Sequence, residues 1–580
     1  MQAIWLVLAV LAIFTVAYLG YSRYLAQFVG LDEGRETPAH KYEDGQEYVP
    51  AKKPVLLGHH FSSIAGGAPI VGPITAGVWW GWVPALLWIA IGNPILGSVH
   101  DFVSLSSSIR HEGKSIGYVI GEYVGDRGKN MLLWFAFLTI ILVVAVFALV
   151  VAIVFNAYPS AATASIIYIL LALLFGIYLY QLNLPFLPGT VVFVAAVFGG
   201  VWVGIQNPLV LSTAETAPSV LPTILGSGNI SLWVPVIIVY AFIASVLPVW
   251  TLLQPRDYLS SFLLYTGVGG TLLAVIVGTF VAADPTKLEI GVHAWNGFMA
   301  GSYAKPLFPI LFVTIACGTI SGFHSLVSSG TTAKQLNRET DARLIGYGGM
   351  LGEGLLATTA LITLGVAGIT VEGGGVGQAL PNFAEGGGII LSTVGIPTEY
   401  GGPFMALVMV SFLLTSTDTA LRLGRYMFEE IVGTPETAVQ EFASDKYVNS
   451  AFQGVVAFLL VSSGTWGDLW PLFGSANQML AALALLTATV WLANWDRSKQ
   501  LISTGVPMVL MLITTIAALL YLGLYQFLYQ KLILGIGMEG AGTAAYISTG
   551  VQILVALILL YLGLSLAWIG YKNISKARSR

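Results

Sequence analysis

The sequence predicts an all-α polytopic membrane protein of about fifteen transmembrane helices, built around a five-plus-five inverted repeat. Three observations lead there: composition, the spacing of long apolar stretches, and the side on which basic residues collect. Of 580 residues, 56% are hydrophobic and 9% are charged, with a mean hydropathy of +0.81. Soluble domains carry about 25% charge, so a chain this long lacks the polar surface to cover several water-facing cores. The net charge of −4 offers nothing to a nucleic acid, and the single cysteine, Cys317, excludes an internal disulfide and a thiolate cluster. No polar segment is long enough for a soluble domain.

A helix crosses the hydrocarbon core with about 20 apolar residues. Such stretches lie near 3–29, 57–79, 82–110, 130–157, 160–182, 185–205, 231–253, 258–283, 306–333, 343–371, 403–427, 447–465, 468–495, 505–529 and 546–571. The first has no basic start and no small-residue cleavage site before Arg23, and reads as a retained span rather than a signal peptide. Ser115 to Lys129 is too polar to span and reads as a surface helix. Trp466-Gly467-Asp468, ahead of Trp470-Pro471, reads as a tight aromatic turn at the outer interface.

Charge then orients the spans. Arg35, Lys41, Lys52 and Lys53 precede the second span, and Arg110, Lys114, Arg127 and Lys129 follow the third. Arg256 follows the seventh; Lys334, Arg338 and Arg343 follow the ninth; Arg422 and Arg425 end the eleventh. Arg497 and Lys499 follow the thirteenth, and Lys572, Lys576, Arg578 and Arg580 come last. With fifteen spans these all share one side, while the loops 206–230 and 372–402 hold no lysine or arginine. The positive-inside rule makes the N-terminus external and the C-terminus cytoplasmic, against Lys287, Lys305 and Lys531, which fall outside.

Two spans read as broken. The second holds Gly66, Gly67, Pro69, Gly72 and Pro73 within eight residues, and glycine and proline cost about 1 and 3 kcal/mol in a helix interior. The seventh carries Ser245, Pro248 and Trp250, followed by Gln254-Pro255-Arg256-Asp257. Open backbone at membrane depth is tolerated only where protein or a water-filled cavity satisfies it. The two spans are five apart, so a second set of five enters the membrane inverted, and the pocket between repeats is the expected substrate site. This divides the chain into an accessory helix and loop (1–56), repeats at 57–205 and 206–432, and four accessory helices at 433–580.

Ionisable residues inside spans are functional candidates by default. His59, His60, His100, Asp101, His324, Glu353 and Asp418 fall at similar depths on several helices. Histidine suits a proton relay; His59, His60, His100 and Asp101 are also metal-ligand types, though without diagnostic spacing; a structural network is the third reading. The hydroxyls around Ser325, Ser328 and Thr415 to Thr419 could serve sodium or bond their own backbone. No lysine or arginine is expected in the middle of a core span, so an anionic substrate falls to half-helix N-termini after Gly66-Gly67 and around Pro248.

Gly58-His59-His60-Phe61-Ser62-Ser63-Ile64-Ala65-Gly66, Val99-His100-Asp101-Phe102, Leu247-Pro248-Val249-Trp250, Pro255-Arg256-Asp257-Tyr258, Ile315-Ala316-Cys317-Gly318, Ser321-Gly322-Phe323-His324, Ser328-Ser329-Gly330-Thr331-Thr332 and Ala476-Asn477-Gln478-Met479-Leu480 together resemble the carbon starvation protein A (CstA) family. The likeness runs from about residue 55 to 495. It implies a core like that of the amino-acid/polyamine/organocation (LeuT-like) transporters, a bacterial or archaeal cytoplasmic membrane, and uptake of peptides or, in related members, pyruvate.

The expected activity is therefore secondary transport rather than catalysis: cation-coupled import of short peptides, with proton- or sodium-coupled pyruvate uptake as the alternative, and a passive channel or metal-dependent membrane enzyme behind both. The expected substrate residues are Ser62, Ser63, Gly66, Gly67, Ser245, Pro248, Trp250, His324 and Asp418. The expected coupling residues are His59, His60, His100, Asp101, Ser325, Ser328 and Glu353, with His59, His60, His100 and Asp101 the weak metal set.

Overall fold

The computed structural model describes residues 1–218, 221–300, 305–368, 376–462, 466–495, 500–538 and 542–579. Arg497 and Lys499, the start of the expected loop 372–402, and the side chains of Trp466, Gly467 and Asp468 lie outside the described set.

The chain opens with helix α1 (Ile4–Val29) and a loop, then a bent pair, α2 (Lys53–Ile64) and α3 (Ala68–Trp80), whose axes differ by 44°. Ala65 leaves helical backbone (ψ 76°), and α3 restarts with Pro69 in its first turn, where a missing N–H costs nothing. Gly81, at φ +92°, turns the chain into α4 (Trp82–Arg110); a side chain there would strike the Ala294 backbone at 2.5 Å. The expected surface helix forms as α5 (Ile116–Val124), capped by the Ser115 hydroxyl accepting from Tyr118 N–H. Then come α6 (Asp126–Ala157), α7 (Pro159–Gln181), α8 (Phe186–Gln206), α9 (Gly228–Val246) and α10 (Leu253–Val281). A second break follows: α11 (Leu307–Thr314), irregular backbone over 315–321, and α12 (Gly322–Val327), which continues as a π-helical turn over Ser328–Thr332. The chain proceeds through α13 (Glu339–Ala367), α14 (Val376–Ser392), α15 (Thr398–Val432), α16 (Ala438–Ser444), α17 (Lys446–Ser462), α18 (Trp466–Asn494), α19 (Leu501–Ile533) and α20 (Thr543–Arg578).

Among the described residues, twelve helices are long and apolar enough to cross a membrane, and the bent α2/α3 pair makes a thirteenth. Two expected spans are not among these: 306–333 is divided by its break, and of 447–465 the described residues include only those up to the end of α17 at Ser462. The seventh expected span needs correction. Helix α9 runs unbroken to Val246 despite Pro235, and Pro248 and Trp250 sit in the turn joining it to α10. Its proline lies beyond the helix end, where it breaks nothing. The second discontinuity is instead at 315–321. The stretch 376–392, part of the expected loop 372–402, is helix α14, whose glycines allow close packing: a side chain at Gly388 would meet Gly402 N at 3.0 Å.

The centre is made of α6, α15 and α18, each 94% buried along its apolar window, while α1, α8 and α20 are 22–28% buried and present apolar surface outward. The two longest central helices, α6 and α15, pack along each other. Backbone contacts separate two ends of the bundle. Gln2 pairs with Glu289 and Trp82 N–H donates to His293 O at one end. Ala51 pairs with Leu336, and Asn573 Nδ2 donates to Tyr123 O, at the other. Arg35, Lys53, Arg110 and Lys334 make their ion pairs at this second end, with Glu339, Asp341, Glu339 and Glu47 respectively.

Candidate functional site

The two breaks lie against each other. A side chain at Gly72 in α3 would run into the Thr314 carbonyl and meet Ile315 Cα at 2.9 Å. Gly66 and Gly67 give close approach to Phe147, Val150 and Leu413 on α6 and α15. The exposed backbone of both breaks is bound by side chains. Ser416 Oγ donates to Ser63 O at 3.0 Å. Asn93 Nδ2 donates to Gly318 O at 3.1 Å and to Met350 O at 2.8 Å. Asn477 Oδ1 accepts from Phe323 N–H at 2.8 Å, and Gln478 Nε2 donates to Phe312 O at 2.8 Å. These amides do for the irregular segment what a helix would do for itself.

Two buried polar networks flank the breaks, and of the neighbouring histidines on α2 His59 belongs to the first. Successive helical residues point about 100° apart, so His59 and His60 diverge. His59 Nδ1 bonds Asp257 Oδ2 at 2.6 Å and its Nε2 lies 3.2 Å from Thr331 Oγ1. Asp257 and Arg256, in the first turns of α10, continue this network. Arg256 reaches Asp257 Oδ1 through Nε at 3.1 Å and Nη2 at 2.9 Å. It forks onto Asp418 of α15, through Nη2 to Oδ1 at 3.1 Å and through a closer Nη1–Oδ2 bond. Tyr240 on α9 accepts from Arg256 Nη1 at 2.7 Å and donates to Asp418 Oδ2 at 3.1 Å. Thr415 donates to Asp257 Oδ1 at 3.2 Å. Arg256, Asp257 and His59 are fully buried and Asp418 is 2% exposed.

The second network joins α4, α12 and α13. Asp101 accepts from His100 Nδ1 at 2.7 Å and from His324 Nδ1 at 3.0 Å, one on each oxygen. His324 Nε2 lies 3.2 Å from Glu353 Oε2, and Cys317 Sγ, in the break, completes a close group with them. His60 Nδ1 contacts Thr332 Oγ1 at 2.9 Å.

The expected site residues are thereby sorted. Asp418 and His59 are linked through Arg256 and Asp257; His100, Asp101, His324 and Glu353 are linked through Asp101 and His324. Ser62 Oγ lies against the Asp257 carbonyl at 3.4 Å and accepts from Ser260 at 2.9 Å, and Ser63 Oγ is 3.4 Å from His59. Ser325 spends its hydroxyl on Gly322 O at 2.6 Å, and Ser328 Oγ is buried with no hydrogen-bond partner. Ser245, Pro248 and Trp250 stand apart at the end of α9, where Ser245 bonds Phe242 O and Arg422 caps the carbonyls of Ala244 and Leu247 at 2.8 and 2.6 Å. They offer no half-helix N-terminus at depth. His59, His60, His100 and Asp101 do not converge as one ligand set, because both nitrogens of His59 already face Asp257 and Thr331.

The sequence reading misplaces Arg256. Its guanidinium is buried among carboxylates, and the expectation of a core without a cation does not hold. The signal was the pairing Arg256-Asp257 beside Pro255: two opposite charges at the mouth of an apolar stretch.

The family profile for carbon starvation protein CstA matches residues 2–372 and 369–518. A peptide transporter CstA from Helicobacter pylori (strain J99 / ATCC 700824) is 34% identical over 89% of this chain and 81% of its own. The pyruvate/proton symporter BtsT of Escherichia coli (strain K12) is 33% identical over the same shares, 89% and 81%. A solved manganese transporter from Eremococcus coleocola overlays with a TM-score of 0.46 at 10% identity, covering 92% of this chain and 99% of that one, a likeness too loose to argue from. Profile and relatives span most of the sequence, including both breaks and both buried networks: this chain is a member of the carbon starvation protein CstA family.

Proposed function

We propose that this chain is a secondary active transporter that imports short peptides across the cytoplasmic membrane of a bacterium or archaeon, coupled to protons. The observation that carries the reading is Arg256, a fully buried guanidinium held by Asp418 and Asp257. A peptide offers that pair what each member lacks alone: its carboxylate for Arg256 and its ammonium for Asp418. Arginine's planar fork matches a carboxylate with two parallel bonds.

His59 is the imidazole of this network: its Nδ1 faces Asp257 at 2.6 Å and its Nε2 faces the Thr331 hydroxyl at 3.2 Å, a position from which it can take up and pass on the coupling proton. Pyruvate is the second reading, favoured because a pyruvate/proton symporter is as similar as the peptide transporters are. A monocarboxylate would use Arg256 alone, with a proton on Asp418 in place of the ammonium.

The architecture supports alternating access. In our reading a broken pair, a long helix, a short helix and a very long helix recur as α2/α3–α4–α5–α6 and α11/α12–α13–α14–α15, the second set entering the membrane from the opposite side. In our reading α9 and α10 complete the first five and α17 and α18 the second, the α7–α8 hairpin being an insertion. Counting α11/α12 and α17 as crossings gives fifteen spans, an external N-terminus and a cytoplasmic C-terminus. A pocket of about 340 Å³, lined by Lys52, Val55, Tyr180, Gln254 and Pro255, lies at the start of α10 and in this reading is the cytoplasmic vestibule. The test is uptake of a labelled dipeptide, tripeptide and pyruvate into proteoliposomes under imposed proton or sodium gradients. Accumulation driven by protons, and lost in His59→Gln, is expected; gradient-independent equilibration would make the chain a passive channel.

A further inference from the structure

Cys317 in the irregular segment, His324 in the first turn of α12 and Glu353 in α13 come from three elements to one point. Their ligand-type atoms lie within 4.8 Å of one another, and all three side chains are buried. His324 Nε2 and both carboxylate oxygens of Glu353 make no aligned hydrogen bond, although Nε2 and Oε2 are only 3.2 Å apart. Leaving an acceptor-only group unsatisfied in a dry interior costs about 1–3 kcal/mol, more when charged. No lysine or arginine pairs with Asp101 or Glu353 among the described residues, whose ion-pair partners are histidines alone.

We propose that Cys317, His324 and Glu353 bind one divalent transition-metal ion of the zinc class. Thiol sulfur, imidazole nitrogen and carboxylate oxygen are the donors such an ion takes, and the sulfur argues against magnesium or calcium. Bonds of about 2.0–2.3 Å at tetrahedral angles put ligand atoms roughly 3.3–3.8 Å apart, so the side chains need only small rotations. Asp101 supplies the supporting contact: accepting from His324 Nδ1, it fixes the imidazole with its Nε2 lone pair toward Cys317 and Glu353. Three protein ligands leave a fourth position for water. On binding, the Cys317 thiol gives up its proton to solvent and the thiolate takes the ion. The ion ties the irregular segment at Cys317 to α12 and α13, and so clamps the second break in its present form. The site stands whatever substrate the chain carries.

The test uses full-length protein purified in detergent, stripped with a chelator and titrated with Co²⁺, then Zn²⁺. The expected result is one Co²⁺ per chain with a thiolate-to-cobalt charge-transfer band that Zn²⁺ removes; because Cys317 is the only cysteine, the band reports this site alone. Cys317→Ser abolishes the band, and Glu353→Gln weakens Co²⁺ at least about tenfold, the change expected for a lost ligand. No binding above the detergent blank, binding without the band, or unchanged binding in both variants would each overturn the proposal. If either variant fails to stay monodisperse, the wild-type band and its loss to Zn²⁺ decide the matter.

Discussion

Arg256 and Asp418, 162 residues apart, are joined by a two-pronged ion pair that links the start of α10 to the middle of α15. Burying such a pair stabilises little by itself, because the loss of water around both charges offsets most of the attraction; removing one partner is what costs heavily. Arg256→Met should leave Asp257 and Asp418 without their guanidinium and lower stability by about 3–5 kcal/mol, read as a fall in detergent melting temperature. Arg256→Lys keeps the charge and loses the fork. It should remain folded while uptake drops at least about tenfold, and normal uptake by this variant would remove Arg256 from the substrate site.

Asp418→Asn separates the two substrate readings. A peptide ammonium needs the carboxylate, whereas a monocarboxylate needs Asp418 only in neutral form, which asparagine mimics. Peptide uptake should fall by an order of magnitude, since a charged hydrogen bond lost is worth about 1.5–3 kcal/mol, with pyruvate uptake preserved. Equal loss of both, measured side by side in the same vesicles, would give Asp418 a coupling role instead.

The contact between the two breaks makes a steric prediction. At Gly72 a methyl group would meet main chain of Thr314 and Ile315, which cannot rotate away; at Gly66 it would meet the ring edge of Phe147 at 2.8 Å, which can shift. Gly72→Ala should therefore reduce folded yield and uptake far more than Gly66→Ala. Overpacking costs about 1–3 kcal/mol where neighbours can adjust, so Gly66→Ala should still melt cooperatively. A reversed order, by size-exclusion yield and uptake, would mean that α3 and α11 are spaced more widely than the structure has them.

At the basic end, Lys334 Nζ bonds Glu47 Oε2 at 2.8 Å and ties the loop before α2 to the segment after α12. Burial opposes ionisation of Glu47, but Lys334 and Tyr426 outweigh it and hold its pKa below the ordinary 4.5. Burial likewise opposes charge on Lys334, yet Glu47 and Tyr426 raise its pKa above 10.5. A lowered acid contributes above its unfolded value and a raised base below its own. The pair's share is thus full between pH 4.5 and 10.5, and is lost as pH falls through the depressed Glu47 value or rises through the elevated Lys334 value. Lys334→Met should lower the melting temperature near pH 7 by the equivalent of about 1 kcal/mol, with the difference shrinking in acid. A gap that stays constant with pH would deny the pair this role.

Periodicity and charge placed most helices within a few residues, because a lipid-facing helix must be long, apolar and internally hydrogen-bonded. Local composition also found the break at Gly66-Gly67. It could not locate the second one. The segment 315–321 has a single glycine, Gly318, and is held open by Asn93, Asn477 and Gln478 from distant helices, contacts that no window of sequence contains. Pro248 misled for the opposite reason, lying just past a helix that had already ended. The charge rule counts Arg256 among the basic residues that follow the seventh span, whereas its side chain is turned inward by Asp257 and Asp418. The sequence singles out the histidines and aspartates that the structure buries; it does not show their division into two networks, which follows from contacts between distant helices.

The account rests on a substrate carboxylate meeting Arg256, and it is tested most directly by offering proteoliposomes a labelled dipeptide and its C-terminal amide under the same inward proton gradient. The dipeptide should accumulate, and the amide should neither enter nor compete. An amide carried as well as the free acid would contradict the assignment.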